Sequence, residues 1–395
     1  VGGALRDEVL GRPHTDWDLA TDLLPDAVME GSRGAGLKAL PTGLQHGTVT
    51  VMVAGEPFEI TTFRSEGDYS DGRHPDRVRL GVTLEEDLSR RDFTMNALAL
   101  SLRDLGAPEA TSRIVDPFGG RGDLAAGIIR AVGDPAARFG EDGLRVLRAC
   151  RFAAQLGFSL DPETQAAIPP SLPVTAKVAV ERVQVELTKL LGGRWASRGL
   201  RLLEATGLLD QWLPELRPMV GAPQNPHHRY DVWTHTLRAL DCDPGSDPAM
   251  RWALLLHDVG KPSTESRGAD GHIHHYAHEV RSVALAGEIL RRLKVSLQLQ
   301  ARVEALIRHH GIHPEETWSD GACRRFLQRL EADALTLEDW GRFRRADRLA
   351  KGWGDPEGPE GPGPSPEHVA VVEAECQRTE ARLQALLDAR PPLQA

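Results

Sequence analysis

The sequence near its start reads Gly11-Arg-Pro-His-Thr-Asp-Trp-Asp-Leu-Ala-Thr-Asp22 and carries two aspartates separated by one tryptophan. In an extended chain, the two-residue period of a strand puts Asp16 and Asp18 on one face, where their carboxylates can hold a divalent metal. A Gly2-Gly3 turn and Arg6 come shortly before this pair. Such a turn lets backbone N–H groups approach phosphate oxygens, and Arg6 adds a charge-assisted contact. Each feature alone is common in solvated turns, but together they favour nucleotidyl transfer.

The composition indicates a multidomain protein of a reducing compartment. The 395 residues are too many for one ordinary core, and 41% of them are hydrophobic, which suffices for two or three domains. The four cysteines form no Cys-x-x-Cys pair, so neither a disulfide framework nor a cysteine zinc site is indicated. The sequence has no signal-peptide pattern and no apolar run of about 18 residues, so we expect a soluble, cytoplasmic protein without a membrane partner.

The formal net charge of -10 argues against indiscriminate binding of nucleic acid. It predicts that any RNA contact is confined to a narrow basic strip. Residues 138–151 are one candidate for this strip. The other is the arginine cluster, which consists of Arg342, Arg344, Arg345 and Arg348. For the arginine cluster, a solvated helix face is an equally good interpretation.

Residues 47–53 and 58–63 are rich in β-formers and predict two strands, separated by a turn at 54–57, in a small mixed sheet. Glu59 lies in the second strand and is a candidate third acidic group beside the metal. An ordinary exposed glutamate is the alternative at this position. The polar stretch 64–77 contains Gly and Pro and predicts a mobile loop that could close over a substrate.

Residues 140–155 have helical period. The apolar stripe of this predicted helix consists of Val146, Leu147, Cys150, Ala153 and Ala154, and the opposite side carries Glu141, Asp142, Arg145 and Arg148. The charged side could be a surface ion-pair ladder worth a few tenths of a kcal/mol. Alternatively, a rigid Asp–Arg arrangement presents acceptors and donors that match the edge of a base.

Five motifs occur in an order that resembles the bacterial class II tRNA nucleotidyltransferases. They are Gly2-Gly-Ala-Leu-Arg-Asp, Asp16-Trp-Asp, Arg90-Arg-Asp-Phe-Thr-Met-Asn-Ala, Asp116-Pro-Phe-Gly-Gly and Glu141-Asp-Gly-Leu-Arg-Val-Leu-Arg. The resemblance implies a polymerase β-like α/β head with a small mixed sheet, followed by an all-α neck and body. It also implies addition of nucleotides from CTP and ATP to the 3′ end of tRNA.

The resemblance also implies a role for each matching residue. Asp16 and Asp18 would bind Mg²⁺ in the head, with Glu59 as the third catalytic acid. The residues implied to bind the nucleotide are Gly2, Gly3 and Arg6 at the triphosphate, Arg91, Asp92 and Asn96 at the ribose, and Glu141, Asp142, Arg145 and Arg148 at the base. Relatives that add only CC lack the flexible loop, which this sequence keeps at 64–77, so CC-only addition is disfavoured. Full CCA addition, addition of the final A alone, and poly(A) polymerase activity remain open.

The C-terminal half is rich in histidine and resembles the HD phosphohydrolase superfamily, an all-α domain. The positions that carry the resemblance are His235, His257, Asp258, His278, His309 or His310, and Asp347. In that superfamily such residues bind a divalent transition metal or Mg²⁺, which activates water for phosphoester cleavage. We assign His310 to this site, although the sequence does not separate it from His309. An HD domain fused to a tRNA nucleotidyltransferase is linked to phosphatase and 2′,3′-cyclic phosphodiesterase activity, whereas poly(A) polymerases usually lack it. An HD phosphohydrolase whose head only binds RNA is a further alternative.

These assignments predict five segments. They are a catalytic head at 1–125, a helical neck and body at 126–220, an HD domain at 221–350, a Gly/Pro-rich linker at 351–367 and a helical tail at 368–395. The family normally has a helix and a strand ahead of the glycine turn, so we expect that the start at Val1 is truncated or misassigned.

Overall fold

A computed structural model describes residues 1–13, 17–67, 78–107, 109–224, 229–243, 245–269, 271–314, 316–351 and 364–389. The chain divides into two compact units. Unit 1 comprises Val1–Ala153 and Gly157–Val178, and unit 2 comprises Ala154–Leu156 and Ala179–Ala395. The finer division into five segments stays a prediction.

Unit 1 combines short strands with helices of modest length. Its strands are β1 Leu19–Thr21, β2 Lys38–Gly43, β3 Thr48–Val53, β4 Glu56–Thr62, β5 Arg64–Glu66, β6 Val78–Leu80, β7 Ile128–Ile129 and β8 Ser159–Leu160. Its helices are α1 Gly3–Val9, α2 Pro25–Gly34, α3 Leu84–Ser89, α4 Gly120–Ala126, α5 Pro135–Glu141, α6 Leu144–Leu156, α7 Pro162–Ala166 and α8 Leu172–Thr175, with 3₁₀ turns at Leu44–His46, Thr94–Asn96, Ala110–Arg113 and Pro169–Ser171.

The predicted mixed sheet is confirmed. Its strand order is β1-β4-β3-β2, in which β1 runs parallel to β4 and the other pairs are antiparallel. The β3–β4 turn has only two residues, Ala54 and Gly55, whose φ values of 52° and 91° suit the tight hairpin turn that matches strand twist. Strand β4 therefore begins at Glu56, two residues before its predicted start. Helix α2 covers the sheet through Val28, which packs with Val49 of β3.

Part of the predicted mobile loop is regular structure. Residues Arg64–Glu66 form β5, which pairs with β6 in an antiparallel ribbon, so the loop prediction is wrong for these three residues. Backbone pairing with Val78–Leu80 explains the difference. Residues 68–77 of the predicted loop lie outside the described residues, as does Asp16.

The helix predicted over 140–155 is interrupted. Helix α5 ends at Glu141 and α6 begins at Leu144, with Asp142 in an extended conformation at φ -142°. The Asp142 carboxylate accepts a hydrogen bond from the Leu144 N–H at 3.0 Å. A Cβ on Gly143 would lie 2.7 Å from the backbone of Thr175, so glycine permits the close approach of these segments. All five residues of the predicted apolar stripe are buried.

Unit 2 is mainly helical. Its helices are α9 Val180–Leu191, α10 Ala196–Thr206, α11 Leu208–Trp212, α12 Val232–Cys242, α13 Pro248–Leu256, α14 His278–Arg292, α15 Leu297–His310, α16 Asp320–Ala332, α17 Leu337–Leu349 and α18 Pro366–Asp388, with 3₁₀ turns at Pro214–Met219 and Lys261–Thr264. Strands β9 Glu265–Arg267 and β10 Ile273–His275 form an antiparallel ribbon that the all-α prediction missed. Trp233, Trp252 and Trp340 are fully buried in its core. Among the described residues, no helix has both the length and the apolar composition needed to cross a membrane.

The arginine cluster is not a solvated helix face, so that interpretation is wrong, whereas the basic strip for RNA stays a prediction. Arg345 lies 3.1 Å from Glu373 and 3.0 Å from Glu380, and Arg348 pairs with Glu375; these glutamates all lie on α18. Arg342 pairs with Asp243 at 2.6 Å. Arg344 is buried, with only 6% of its surface exposed. The predicted tail is thus a 23-residue helix that packs on α17.

Candidate functional site

In unit 1, three carboxylates and three arginines line one cavity of about 250 Å³ beside the parallel strands β1 and β4. The six charged side chains are Asp18, Glu59, Asp87, Arg64, Arg90 and Arg91, of which Asp87 pairs with Arg90 at 2.9 Å. Asp18 directly precedes β1, and Glu59 lies in the middle of β4 opposite Thr50. Because β1 and β4 are adjacent, Asp18 and Glu59 reach the same cavity, and both are exposed. Mixed charge of this kind suits a metal-bound polyphosphate.

Gly2 lies against this cavity. Its φ of 75° favours glycine, and a Cβ at this position would lie 2.6 Å from Arg91 Nη1 and 3.3 Å from Asp18 Oδ2. Any side chain at Gly2 would therefore displace Arg91 or the Asp18 carboxylate. Helix α1 starts at Gly3, as the predicted turn and helix require. Burial lowers the pKa of Arg91, while the carboxylates of Asp87 and Asp18 act in the opposite direction.

Arg6 does not line the cavity. Its Nε and Nη2 donate to the two carboxylate oxygens of Asp7 at 3.0 and 2.7 Å, and its Nη1 donates to Asn96 Oδ1 at 2.9 Å. The guanidinium also lies 5.0 Å from the ring centroid of Phe152. The structure thus joins Arg6 to Asn96, a second predicted nucleotide-binding residue.

Asn96 continues into a buried network centred on Asp92. Asn96 Nδ2 and the Phe93 N–H donate to Asp92 Oδ1 at 3.0 and 2.8 Å, while Arg148 Nε donates to Oδ2 at 2.7 Å. Burial alone would raise the pKa of Asp92, but the charge of Arg148 and these hydrogen bonds lower it to about 2. Asp92 is therefore a fixed, ionised carboxylate that orients Asn96 and Arg148.

Arg145 is held from three sides. Its Nη1 contacts Glu141 and donates to the Arg138 carbonyl at 2.9 Å, and its Nη2 donates to the Arg90 carbonyl at 3.2 Å. Arg138 in turn donates to Glu141 at 2.8 Å. The i,i+4 pair between Glu141 and Arg145 that the ladder interpretation predicts is present, but Arg145 is only 8% exposed, so the pair is not a surface one. Asp142 lies in the break between α5, which carries Glu141, and α6, which carries Arg145, so it belongs to neither helix.

In unit 2, six histidine and aspartate side chains converge, and this group is called the HD cluster. Its members are His235, His257, Asp258, His278, His310 and Asp347. Potential ligand atoms of His235, His257 and Asp258 lie within 4.8 Å of one another, and the same holds for Asp258, His278 and His310. His235 Nε2 lies 2.9 Å from Asp347 Oδ1. Residues that are far apart in the sequence are thereby brought to one point.

The orientation of three rings suits a metal. Nδ1 of His257, His278 and His310 donates to the backbone carbonyl three residues earlier, at 2.8, 2.9 and 2.6 Å. In a neutral ring this leaves the Nε2 lone pair as an acceptor. Yet Nε2 of His278 and Nε2 of His310 lie only 3.2 Å apart. Either protonation of His278 or a metal cation between the two rings relieves the repulsion of lone pairs this close, and ligands at about 2.1 Å from one metal are spaced about 3 Å apart. The donor set therefore fits a divalent metal held by imidazole and carboxylate.

Charge within the HD cluster is strongly coupled. Burial would raise the pKa of Asp258, but His257 and Lys261 outweigh it and hold that pKa well below its usual range. Burial lowers the pKa of His310, whereas Asp258 overcomes burial and raises the pKa of His278. The cluster thus keeps its aspartates ionised, as metal ligands must be.

A cavity of about 210 Å³ opens beside the HD cluster and has lining residues that we did not predict. They are Lys261, His275, Glu279, Gly311, His313 and Lys351. Lys261 pairs with Asp258 at 2.7 Å, and Lys351 lies 3.4 Å from Asp347. Lys261 directly follows His257-Asp258-Val-Gly and Lys351 is one helical turn beyond Asp347, so chain proximity could have indicated both. No such signal marks His275 or His313.

The choice between His309 and His310 follows from the geometry of α15. His309 Nε2 lies 2.7 Å from Asp333, on a different side of the helix from the HD cluster. His310 is the ring whose Nε2 faces His278 and Asp258. Adjacent helical residues point about 100° apart, which is why only one of them reaches the cluster.

Comparison with known proteins places three family models along the chain. A model described as the Poly A polymerase head domain matches residues 1–130, one described as the probable RNA and SrmB-binding site of polymerase A matches 157–219, and the HD domain matches 232–352. The CCA-adding enzyme of Geobacillus stearothermophilus is 48% identical over 260 residues, which are 66% of this chain and 58% of that protein. That of Leuconostoc mesenteroides is 42% identical over 256 residues. The alignments thus span about three fifths of the length of these relatives.

Solved structures agree with this placement. The crystal structure of the Bacillus stearothermophilus CCA-adding enzyme in complex with CTP is 32% identical, with a TM-score of 0.63, and the match covers 96% of this chain and 77% of that one. A tRNA nucleotidyltransferase complexed with a primer tRNA and an incoming ATP analog, at 18% identity and a TM-score of 0.57, shares the fold. The mixed sheet of the head, the helical body and the HD domain confirm the predicted fold class. The chain belongs to the CCA-adding enzyme family, with a poly(A) polymerase-type head and an HD domain.

Proposed function

We propose that this protein adds nucleotides from CTP and ATP to the 3′ end of tRNA without a nucleic-acid template. The observation that carries the proposal is the cavity of unit 1, where Asp18 and Glu59 face Arg64, Arg90 and Arg91 beside the Gly2 turn. Carboxylates that bind metal and cations that bind phosphate are both needed for nucleotidyl transfer. The relatives that are named CCA-adding enzymes, one of them solved with CTP, supply the substrate class.

Asp18 and Glu59, together with Asp16, would hold Mg²⁺ in this cavity. When bound, the metal would lower the pKa of the attacking 3′-hydroxyl and neutralise charge on the departing pyrophosphate. Arg91 and the backbone at Gly2 would bind the triphosphate, because they lie beside Asp18, and Gly3 would extend this backbone site as the next residue of the turn. Their task is to hold the α-phosphorus in line with the hydroxyl, since positioning supplies much of the catalysis in such reactions.

Nucleotide selection is assigned to the two buried networks. In our proposal, Asp92, Asn96 and Arg6 position the ribose, and Glu141, Asp142, Arg145 and Arg148 bind the base edge. The support is rigidity, because Arg145 is fixed by carbonyls of Arg138 and Arg90 and Arg148 is fixed by Asp92. A fixed carboxylate acceptor beside fixed guanidinium donors can separate cytosine and adenine, which present an amine donor next to a ring-nitrogen acceptor, from uracil and guanine, which present a carbonyl acceptor next to a ring N–H.

The test is incorporation of labelled CTP and ATP, singly and together with Mg²⁺, into tRNA that lacks CCA and into tRNA that ends in CC. Ordered addition of C, C and A to the shorter tRNA supports the proposal. Incorporation of ATP only into the CC-ended tRNA would mean an A-adding enzyme, and long A tails on any RNA would mean a poly(A) polymerase. Glu59→Gln should reduce incorporation at least about 100-fold, whereas Glu56→Gln, at the exposed end of the same strand, is the matched control.

We further propose a metal-dependent phosphohydrolase activity in unit 2. The specific observation is the pair of opposed Nε2 atoms of His278 and His310 beside Asp258, which fits a divalent transition metal or Mg²⁺. When bound, the metal would supply a hydroxide at neutral pH. Lys261 and Lys351 would bind the phosphate of the substrate, because both ammonium groups line the adjoining cavity.

The HD activity can be measured by release of product from a 2′,3′-cyclic nucleotide with Mg²⁺, Mn²⁺, Co²⁺ or Ni²⁺. Asp258→Asn should abolish release while nucleotide incorporation into tRNA continues. Turnover that survives in Asp258→Asn would remove the HD cluster from the reaction. The proposed function also includes the predicted domain division and location. The domains are a head at 1–125, a neck and body at 126–220 and an HD domain at 221–350. The location is the cytoplasm, where tRNA is available.

A further inference from the structure

A second cavity in unit 2, here called the arginine pocket, has a volume of about 400 Å³ and lies between α16, α17, α18 and the segment before α16. Its charged lining consists of Arg344, Arg348, Arg378, Arg382, Glu316 and Glu375, and its other lining residues are Pro314, Cys323, Thr379 and Leu383. Four arginines against two glutamates give the pocket a net charge of +2 in a chain whose net charge is -10. A local excess of this kind attracts anions.

Arg344 is the distinctive member of the pocket. It is 6% exposed, and its guanidinium carbon lies 5.3 Å from the ring centroid of Trp340. Its Nε and Nη1 are buried and have no hydrogen-bond acceptor within the described part of the chain. A guanidinium stays protonated in proteins, so burial without an anion is costly. Stacking on an aromatic ring recovers only part of that cost.

The neighbouring arginines are already held, which gives the pocket a fixed frame. Arg348 pairs with Glu375 of α18. Arg382 donates to the Glu316 carbonyl at 3.3 Å and to Asp320 at 3.2 Å. Arg378 lies at the rim with 62% of its side chain exposed, 3.9 Å from Glu316, whose side chain is 92% exposed. The frame thus presents one buried guanidinium whose Nε and Nη1 have no acceptor among the described residues, and one exposed guanidinium close to solvent.

We infer that the arginine pocket is a binding site for a phosphate-bearing anion, with Arg344 as its central contact and Arg378 as its rim contact. The planar donors of arginine match phosphate oxygens in a bidentate manner, and a pocket of this volume accommodates a ligand of nucleotide size. Pro314 and Leu383 provide an apolar wall for the rest of such a ligand.

The arginine pocket is separate from the HD cavity, although helix α17 contributes to both. Asp347 and Lys351 line the HD cavity, while Arg344 and Arg348, each three residues earlier, line the arginine pocket. No described residue lines both cavities. The inference therefore stands whether or not the HD cluster is catalytically active.

The experiment uses the full chain in EDTA, so that metal-dependent phosphate binding elsewhere is suppressed. Melting temperature and calorimetric binding are measured with inorganic phosphate and with AMP. Wild type should show a saturable rise in melting temperature and a defined dissociation constant. Arg344→Met should weaken binding at least tenfold, and without ligand its melting temperature should equal or exceed that of wild type, because an unpaired charge has been removed. Asp258→Asn should bind as wild type does.

Arg345→Met is the matched control, since Arg345 lies on the same helix but pairs with Glu373 and Glu380 and does not line the arginine pocket. It should retain phosphate binding and lose stability. If Arg344→Met fails to fold, Arg378→Gln should still weaken binding about threefold without a change in stability. Equal affinities for phosphate and AMP assign recognition to the phosphate alone, and tighter AMP binding assigns it to a nucleotide. Unchanged affinity in Arg344→Met and Arg378→Gln, or no binding to wild type below 10 mM, would overturn the inference.

Discussion

Replacing Asp92 by asparagine should loosen unit 1 selectively. Asp92 is buried, and its pKa of about 2 lies roughly two units below the ordinary value of 3.8. At 1.36 kcal/mol per pKa unit, the ionised carboxylate stabilises the fold by about 2 kcal/mol at neutral pH. Because the folded-state pKa is the lower one, this stabilisation is complete above about pH 4 and is lost as pH falls toward 2.

Hydrogen exchange followed by mass spectrometry can measure this change for each unit. At pH 7, peptides around Asp92 and α6 should exchange about 30-fold faster in Asp92→Asn, which corresponds to about 2 kcal/mol, while peptides of unit 2 should be unchanged. The difference between the two proteins should shrink as pH falls from 4 to 2. Asp26→Asn, an exposed change in the first turn of α2, is the control. A change below threefold, or an equal change in unit 2, would refute the assignment of this charge to the Arg148–Asp92–Asn96 network.

Three further outcomes follow from particular contacts. Gly120→Ala should destabilise unit 1 by about 1–3 kcal/mol in thermal and denaturant melts, because the added Cβ would collide with the Thr94 carbonyl. Gly122→Ala in the same helix is the control. Its Cβ would have no neighbour within 4 Å, so this change should be neutral or slightly stabilising. Burial raises the pKa of the Cys150 thiol to about 12. Thiol labelling at pH 8 should therefore spare Cys150 in the native protein and modify it after denaturation. Equal labelling of Cys150 in both states would contradict its burial. His310→Ala should reduce bound metal at least about tenfold by mass spectrometry of desalted protein, while His309→Ala should keep it; the opposite ranking would reverse the assignment of the two rings.

The strands and helices that follow local periodicity could be predicted from the sequence. Strands β3 and β4 lie within two residues of their predicted bounds, and the predicted apolar stripe of α6 is buried. The break at Asp142–Gly143 escaped prediction because it depends on the approach of Thr175, a contact between residues 32 positions apart. The partners of Arg345 escaped prediction for the same reason. They lie on α18, which follows a Gly/Pro-rich stretch, and the local sequence pattern of α18 does not indicate that this helix packs on α17.

The candidate sites were predicted unevenly for a similar physical reason. Asp18 and the histidines of the HD cluster could be predicted as site residues, because their side chains bind metals and because the motifs that contain them occur in a recognisable order. The sequence did not indicate that Arg6 binds Asn96 rather than lining the cavity, since this depends on the competing carboxylate of Asp7. It also did not distinguish Arg344 from the other three arginines of the arginine cluster, because the lack of an acceptor for its Nε and Nη1 in the described structure depends on tertiary packing.

Nucleotide transfer is assigned to the carboxylates of unit 1, and phosphoester hydrolysis to the HD cluster of unit 2. Both reactions can be measured in one set of proteins: wild type, Asp16→Ala/Asp18→Ala and Asp258→Asn. The double variant should incorporate no CTP or ATP into tRNA while it still hydrolyses a 2′,3′-cyclic nucleotide, and Asp258→Asn should do the reverse. Nucleotide incorporation at the wild-type rate by Asp16→Ala/Asp18→Ala would contradict this assignment.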